Sequence, residues 1–173
     1  MITEAPSIKP IAYSYGLYLA LLSIAGIVIS YALGLENNWI LSSISFLITV
    51  IIYVYGIKSY KKLNGNLLTV KEAIKTGLAM AVVSGIIAAI YAIIHYGFIQ
   101  PEYIDKVRED AYLQMTTQTP NMTEEQLASA TDMMNLFTSK FFMATMFLIS
   151  SLFFGFFISL IIGLIMKKEA HLK

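Results

Sequence analysis

Four hydroxyl-bearing residues share one face of a long apolar run: Ser42, Ser45 and Thr49, continued by Tyr53. Such a row can bond across to another helix, bond back to its own carbonyls, or line the path of a small solute. Lys58, Lys61, Lys62, Lys71 and Lys75 cluster in the stretch "KSYKKLNGNLLTVKEAIKTGLA". They could hold anionic lipid headgroups or phosphate, or simply mark membrane topology. No GxxxxGK[ST] pattern accompanies them, so a P-loop is excluded. His95 lies between Tyr91 and Tyr96. A proton switch or metal ligand is conceivable there, beside the plainer reading of an interfacial histidine in an aromatic belt. The methionines Met115, Met122, Met133, Met134, Met143 and Met146 raise soft copper binding, against their commoner use as adaptable core filler. The acids show no EF-hand spacing. With no cysteine, no HExxH, no GxSxG and no paired aspartates inside an apolar run, catalysis has little to work with. The expectation is a non-enzyme with no catalytic residue, cofactor or metal.

The elements carrying these residues are set by composition. Hydrophobic residues make up 57% of the 173 and charged ones 13%, against typical soluble values of about 45–50% and about 25%. Mean hydropathy is +0.69. A single soluble core of this size cannot hide that excess, because a small domain buries only part of its surface.

A bilayer core about 30 Å thick takes roughly 20 apolar helical residues. Four segments qualify: Ile11 to Leu35, Trp39 to Ile57, Ala73 to Ile99 and Phe141 to Met166. The first is too long for a signal-peptide core and reads as a retained span. Basic residues alternate: Lys9 in the tail, the five lysines after the second span, and Lys167, Lys168 and Lys173 at the end. The loop between the third and fourth spans carries Lys106, Arg108 and Lys140 against seven acids. The positive-inside rule then places both termini in the cytoplasm. Between spans two and three, Asn64-Gly65-Asn66 is a turn signal. Thr69 and Glu72 form a capping box that starts a helix near Val70.

Small residues recur every fourth position: Ala73, Gly77, Ala81, Gly85 and Ala89 in span three, and Ser151, Gly155, Ser159 and Gly163 in span four. Span one has Ala12, Gly16 and Ala20, then Gly26, Ser30 and Gly34. Such stripes let helix backbones approach closely in lipid, within one bundle or against a second copy or partner. No Asp, Glu, Lys or Arg lies deep in a span, which weighs against ion-coupled transport but not passive transport.

Residues 100–140 form the polar region of size. Pro101 suits a helix start, and Ile104, Val107, Ala111 and Met115 share a face. "TQTPNM" breaks the pattern. Thr123 to Gln126 is a second capping box, after which Leu127, Ala130, Met134 and Phe137 repeat at three and four. No evident breaker separates this helix from the fourth span, leaving it free to run on to Met166, about 60 Å. Two amphipathic helices can pack together as a hairpin or offer a ridge to a partner.

The stretches "NGNLLTVKEAIKTG", "YGFIQPEYIDK", "NMTEEQLASATDMM" and "GFFISLIIGLIMKK" resemble the domain-of-unknown-function family 4199, small four-span bacterial membrane proteins, over about Ile8 to Lys168. The resemblance implies a bacterial inner-membrane location and supplies no catalytic residues. The expectation is a single all-α membrane domain, residues 1–173: four transmembrane helices with an extracytoplasmic amphipathic hairpin at 100–140. Its role is read as an accessory, assembly or regulatory subunit, with Leu127, Met134 and Phe137 facing a partner and Gly77, Ala81 and Gly85 as a packing surface. The alternative is a passive small-solute transporter or channel, as a single copy or an oligomer, using Ser42, Ser45, Thr49 and Tyr53. A weaker third reading is lipid binding through Lys58, Lys61 and Lys62. The bilayer itself, a membrane-protein partner or a second copy are the expected contacts, and nucleic acid is not.

Overall fold

The computed structural model describes residues 6–35 and 38–169. His171 and Lys173 lie outside them. Among the described residues there are six α-helices: α1 Lys9–Leu33, α2 Trp39–Leu63, α3 Val70–Ile94, α4 Glu102–Gln118, α5 Glu124–Phe137 and α6 Lys140–Met166. A π-helical turn, His95–Ile99, extends α3. No strand is present among the described residues, and one isolated antiparallel bridge joins Leu68 to Lys168. The helices α1, α2, α3 with its π turn, and α6 are long and apolar enough to cross a membrane, which supports a membrane protein.

Local chemistry fixes the ends. Pro10 pre-sets the first turn of α1. The helix stops at Gly34, whose φ of 62° is left-handed. The Leu35 N–H then donates to the Ser30 carbonyl at 2.8 Å, closing the last turn. Asn38 starts α2 by accepting the Ile40 and Leu41 N–H groups at 3.0 Å each. The helix continues past Ile57, where the apolar run ends, to Leu63. Lysines are good helix formers and keep their heads in water, so loss of hydrophobicity does not end the helix. The turn comes at Gly65 and Asn66, both at φ 63°.

The unbroken helix from Glu124 to Met166 is corrected. The chain breaks between Phe137 and Lys140. Thr138 Oγ1 donates to the Met134 carbonyl at 2.8 Å, and Ser139 Oγ donates to the Leu136 carbonyl at 2.8 Å. Ser139 Oγ also accepts the Phe142 N–H at 3.2 Å and so caps α6. Adjacent Thr and Ser supply both a terminator and an N-cap without glycine or proline.

The chain forms two compact units. One runs up to Ala88 and resumes at Leu148, and the other is Ala89–Phe147. The core of the first draws on α1, α2, α3 and α6, through Ile11, Leu19, Tyr53, Ile57, Met80, Ile158 and Ile162. Gly16 brings α1 so close to α3 that a methyl there would lie 2.9 Å from the Met80 carbonyl oxygen. In the second unit α4 and α5 pack together, and neither buries a residue fully.

Candidate functional site

Three constellations in the first unit bear on function. The first is the seam between α3 and α6. A methyl on Gly163 would lie 2.9 Å from Ala73 Cβ, and one on Gly155 would lie 2.7 Å from Ala81 Cβ. A methyl on Gly85 would meet Ser151 Cβ at 3.2 Å. A methyl on Gly77 would overlap Ser159 Cβ. Each step of four along α3 is thus met by a step of four back along α6, an antiparallel zipper in one register. Ser151 Oγ donates to the Ala81 carbonyl at 2.9 Å and lies 3.1 Å from Ser84 Oγ. Ser159 Oγ stays in its own helix, donating to the Gly155 carbonyl at 2.6 Å. Ala89 belongs to the second unit and is half-buried. In α1, Ala12, Gly16 and Ala20 are buried, whereas a methyl on Gly26 would meet nothing within 4 Å.

The second is the hydroxyl row of α2. Ser42 Oγ donates to the Asn38 carbonyl at 3.1 Å, and Thr49 Oγ1 to the Ser45 carbonyl at 2.9 Å. Ser42 is exposed, while Ser45 and Thr49 are half-buried. Tyr53 is 2% exposed, its hydroxyl set against Gly155.

The third is the basic end of the bundle. The Glu72 carboxylate is its hub. Oε2 accepts the Thr69 N–H and the Thr69 hydroxyl, both at 2.8 Å, and Oε1 accepts Asn64 Nδ2 at 3.2 Å. The Tyr60 hydroxyl donates to Oε1 at 3.5 Å. Thr69 Oγ1 accepts the Glu72 N–H at 3.2 Å, completing the capping box. Lys61 Nζ donates to the Met166 carbonyl at 2.7 Å, placing a cation on the C-terminal end of α6. Leu68 and Lys168 exchange backbone bonds of 2.9 and 2.8 Å. Beside this lattice lies a groove of about 550 Å³, walled by Pro6, Ile8 and Tyr60 and carrying Lys9, Lys71 and Lys75. Lys58 and Lys62 are exposed and do not line it. One turn along α3 from Glu72, Thr76 is fully buried and its hydroxyl has no hydrogen-bond partner.

In the second unit, His95 is fully buried. The Tyr91 hydroxyl lies 3.3 Å from Nδ1, and Gln100 Oε1 lies 3.3 Å from Nε2. Tyr96 packs edge-on against the imidazole and stacks on Tyr103. The histidine is therefore a bonded interior group among its tyrosine neighbours. Among the described residues no group of three His, Cys, Asp or Glu could hold a metal ion. Leu127 and Met134 are half-buried, and Phe137 is exposed with its ring edge-on to Phe142 at 4.8 Å. Tyr112, Leu113, Met133 and Leu136 are exposed apolar residues that the repeat at three and four did not single out. Gln100 and the Thr138-Ser139 cap were also missed.

Neither the curated proteins nor the solved structures gave a match. A family model does match, over residues 14–168. It runs from within the first helix to Lys168 of the Leu68–Lys168 bridge, including the seam, the capping hub and the α4–α5 pair. The chain belongs to the family described as Protein of unknown function (DUF4199).

Proposed function

We propose that this protein is a non-enzymatic subunit of a membrane assembly. It sits in a bacterial inner membrane with both ends in the cytoplasm, and α4–α5 forms an extracytoplasmic hairpin that docks on a membrane-protein partner. The observation that carries the reading is the α4–α5 pair itself. It buries no residue fully, yet exposes Tyr112, Leu113, Met133, Leu136 and Phe137. Acids Glu102, Asp105, Glu109 and Asp110 crowd α4, so the partner surface would pair an apolar strip with basic flanks. Leu127 and Met134 would hold the hairpin together, leaving Met133 and Leu136 to the partner.

The transporter reading has less support. The Ser42 and Thr49 hydroxyls already donate to their own helix, and Tyr53 is packed against Gly155. The test is gentle extraction of tagged protein followed by native mass spectrometry. A defined partner, retained by wild type and lost in Met133→Ser/Leu136→Ser, supports the subunit reading. A homo-oligomer without a partner overturns it, and solute flux abolished by Ser45→Leu would then establish the transporter.

A further inference from the structure

We propose that the groove between the start of α1, the end of α2 and the start of α3 is a binding site for the phosphate of an anionic headgroup. Among the described residues three lysines, Lys9, Lys71 and Lys75, line it with one carboxylate, Glu72. That carboxylate is engaged by the Thr69 N–H, the Thr69 hydroxyl, Asn64 and Tyr60. Among the described residues none of the three lysines has an ion pair or a side-chain hydrogen bond. Lys71 and Lys75 are four residues apart on α3 and so face the same way, a like-charge pair that repels until an anion lies between or across it. Lys9 is the first residue of α1, and Lys71 and Glu72 lie in the first turn of α3, so the groove lies at the starts of two helices. Helix α1 also begins without a side-chain cap.

Membrane topology requires cations at this end but not their arrangement. It would be satisfied by lysines scattered over the turn, as Lys58 and Lys62 are. Instead, Lys61 is committed to the Met166 carbonyl, while lysines from two different helices line one cavity. Pro6, Ile8 and the Tyr60 ring supply an apolar wall beside the charge, which suits the glycerol portion of a phospholipid. A volume of about 550 Å³ holds a phosphodiester headgroup with room to spare.

The experiment uses the full-length protein in nanodiscs of zwitterionic phosphatidylcholine, with phosphatidylglycerol titrated in and binding read by native mass spectrometry. Wild type is expected to bind discrete phosphatidylglycerol. Each of Lys9→Gln, Lys71→Gln and Lys75→Gln should weaken it about fivefold, and the triple variant about a hundredfold. Lys58→Gln/Lys62→Gln, outside the groove, should weaken binding of the discrete lipid less than any single groove substitution. Should the triple variant fail to fold, the single substitutions at exposed lysines carry the same comparison. Displacement of the lipid by excess inorganic phosphate would mean that the groove reads phosphate alone. Persistence of the lipid against it would assign a lipid headgroup. Equal binding by wild type and the groove variants, or an equal loss in the Lys58/Lys62 control, overturns the proposal.

Discussion

Gly155→Ala is the most demanding test of the α3–α6 seam. The added methyl would lie 2.7 Å from Ala81 Cβ and 2.7 Å from the Tyr53 hydroxyl oxygen. Carbon atoms in ordinary contact sit about 3.5–4.0 Å apart, so one helix must withdraw by about 1 Å or Tyr53 must leave its buried position. Interiors packed this densely resist such shifts, and overpacking of this kind costs about 1–3 kcal/mol. For a chain of this length each kcal/mol is worth about 2–4 °C in Tm, so the variant should melt about 2–12 °C below wild type in detergent. Gly26→Ala is the matched control, because a methyl there meets nothing within 4 Å. It should melt at or slightly above wild type, since alanine favours the helix. Ala81→Gly added to Gly155→Ala removes one of the two clashes and should recover part of the loss, a coupling that distant sites would not show. The measurement is circular-dichroism melting of the four proteins. An unchanged Tm for Gly155→Ala, or equal losses at Gly155 and Gly26, would refute the seam as described.

Other substitutions probe separate contacts. Ser151→Ala removes the bond to the Ala81 carbonyl and should cost about 0.6 kcal/mol, a typical value for hydrogen bonds between membrane helices, detectable as a small Tm decrease. Glu72→Ala removes the hub that holds Thr69 and Asn64 and should cost about 1–2 kcal/mol. Its signature is faster hydrogen exchange at the Thr69 and Glu72 amides, not along α5. Lys61→Met uncaps the Met166 carbonyl, costs up to about 1 kcal/mol, and should loosen exchange at the end of α6 while sparing α4. His95→Leu removes the imidazole that the Tyr91 hydroxyl and the Gln100 side chain face, at about 1–3 kcal/mol. Limited proteolysis should then cut within residues 89–147 first.

The four helices long and apolar enough to cross a membrane were legible because length and hydropathy suffice to find them. The starts of α3 and α5 were legible because Thr69–Glu72 and Thr123–Gln126 carry both halves of a reciprocal cap. The end of α2 was not, because a transfer scale ends a span at Lys58 although lysine does not end a helix. The break before α6 was hidden because Ser and Thr terminate helices through side-chain bonds that leave little compositional trace. Four-residue spacing assigns Gly77, Ala81, Ser159 and Gly155 to helix faces, but register and partner come only from the packed helices. The groove is further from reach, since residues 9, 60, 71 and 75 meet only once three helices are folded. His95 was read from its tyrosine neighbours in sequence, and its burial depends on Gln100 reaching back across the π turn.

The account turns on which side of the membrane each end and the α4–α5 pair occupy. The chain lacks cysteine, so single cysteines report cleanly. Gln114→Cys, exposed on α4, and Glu169→Cys, exposed beyond α6, would be treated in intact cells with a membrane-impermeant maleimide. Labelling of Gln114→Cys from outside, with Glu169→Cys reacting only after permeabilisation, is the predicted result. Labelling of Glu169→Cys alone, or of both from the same side, would contradict the account.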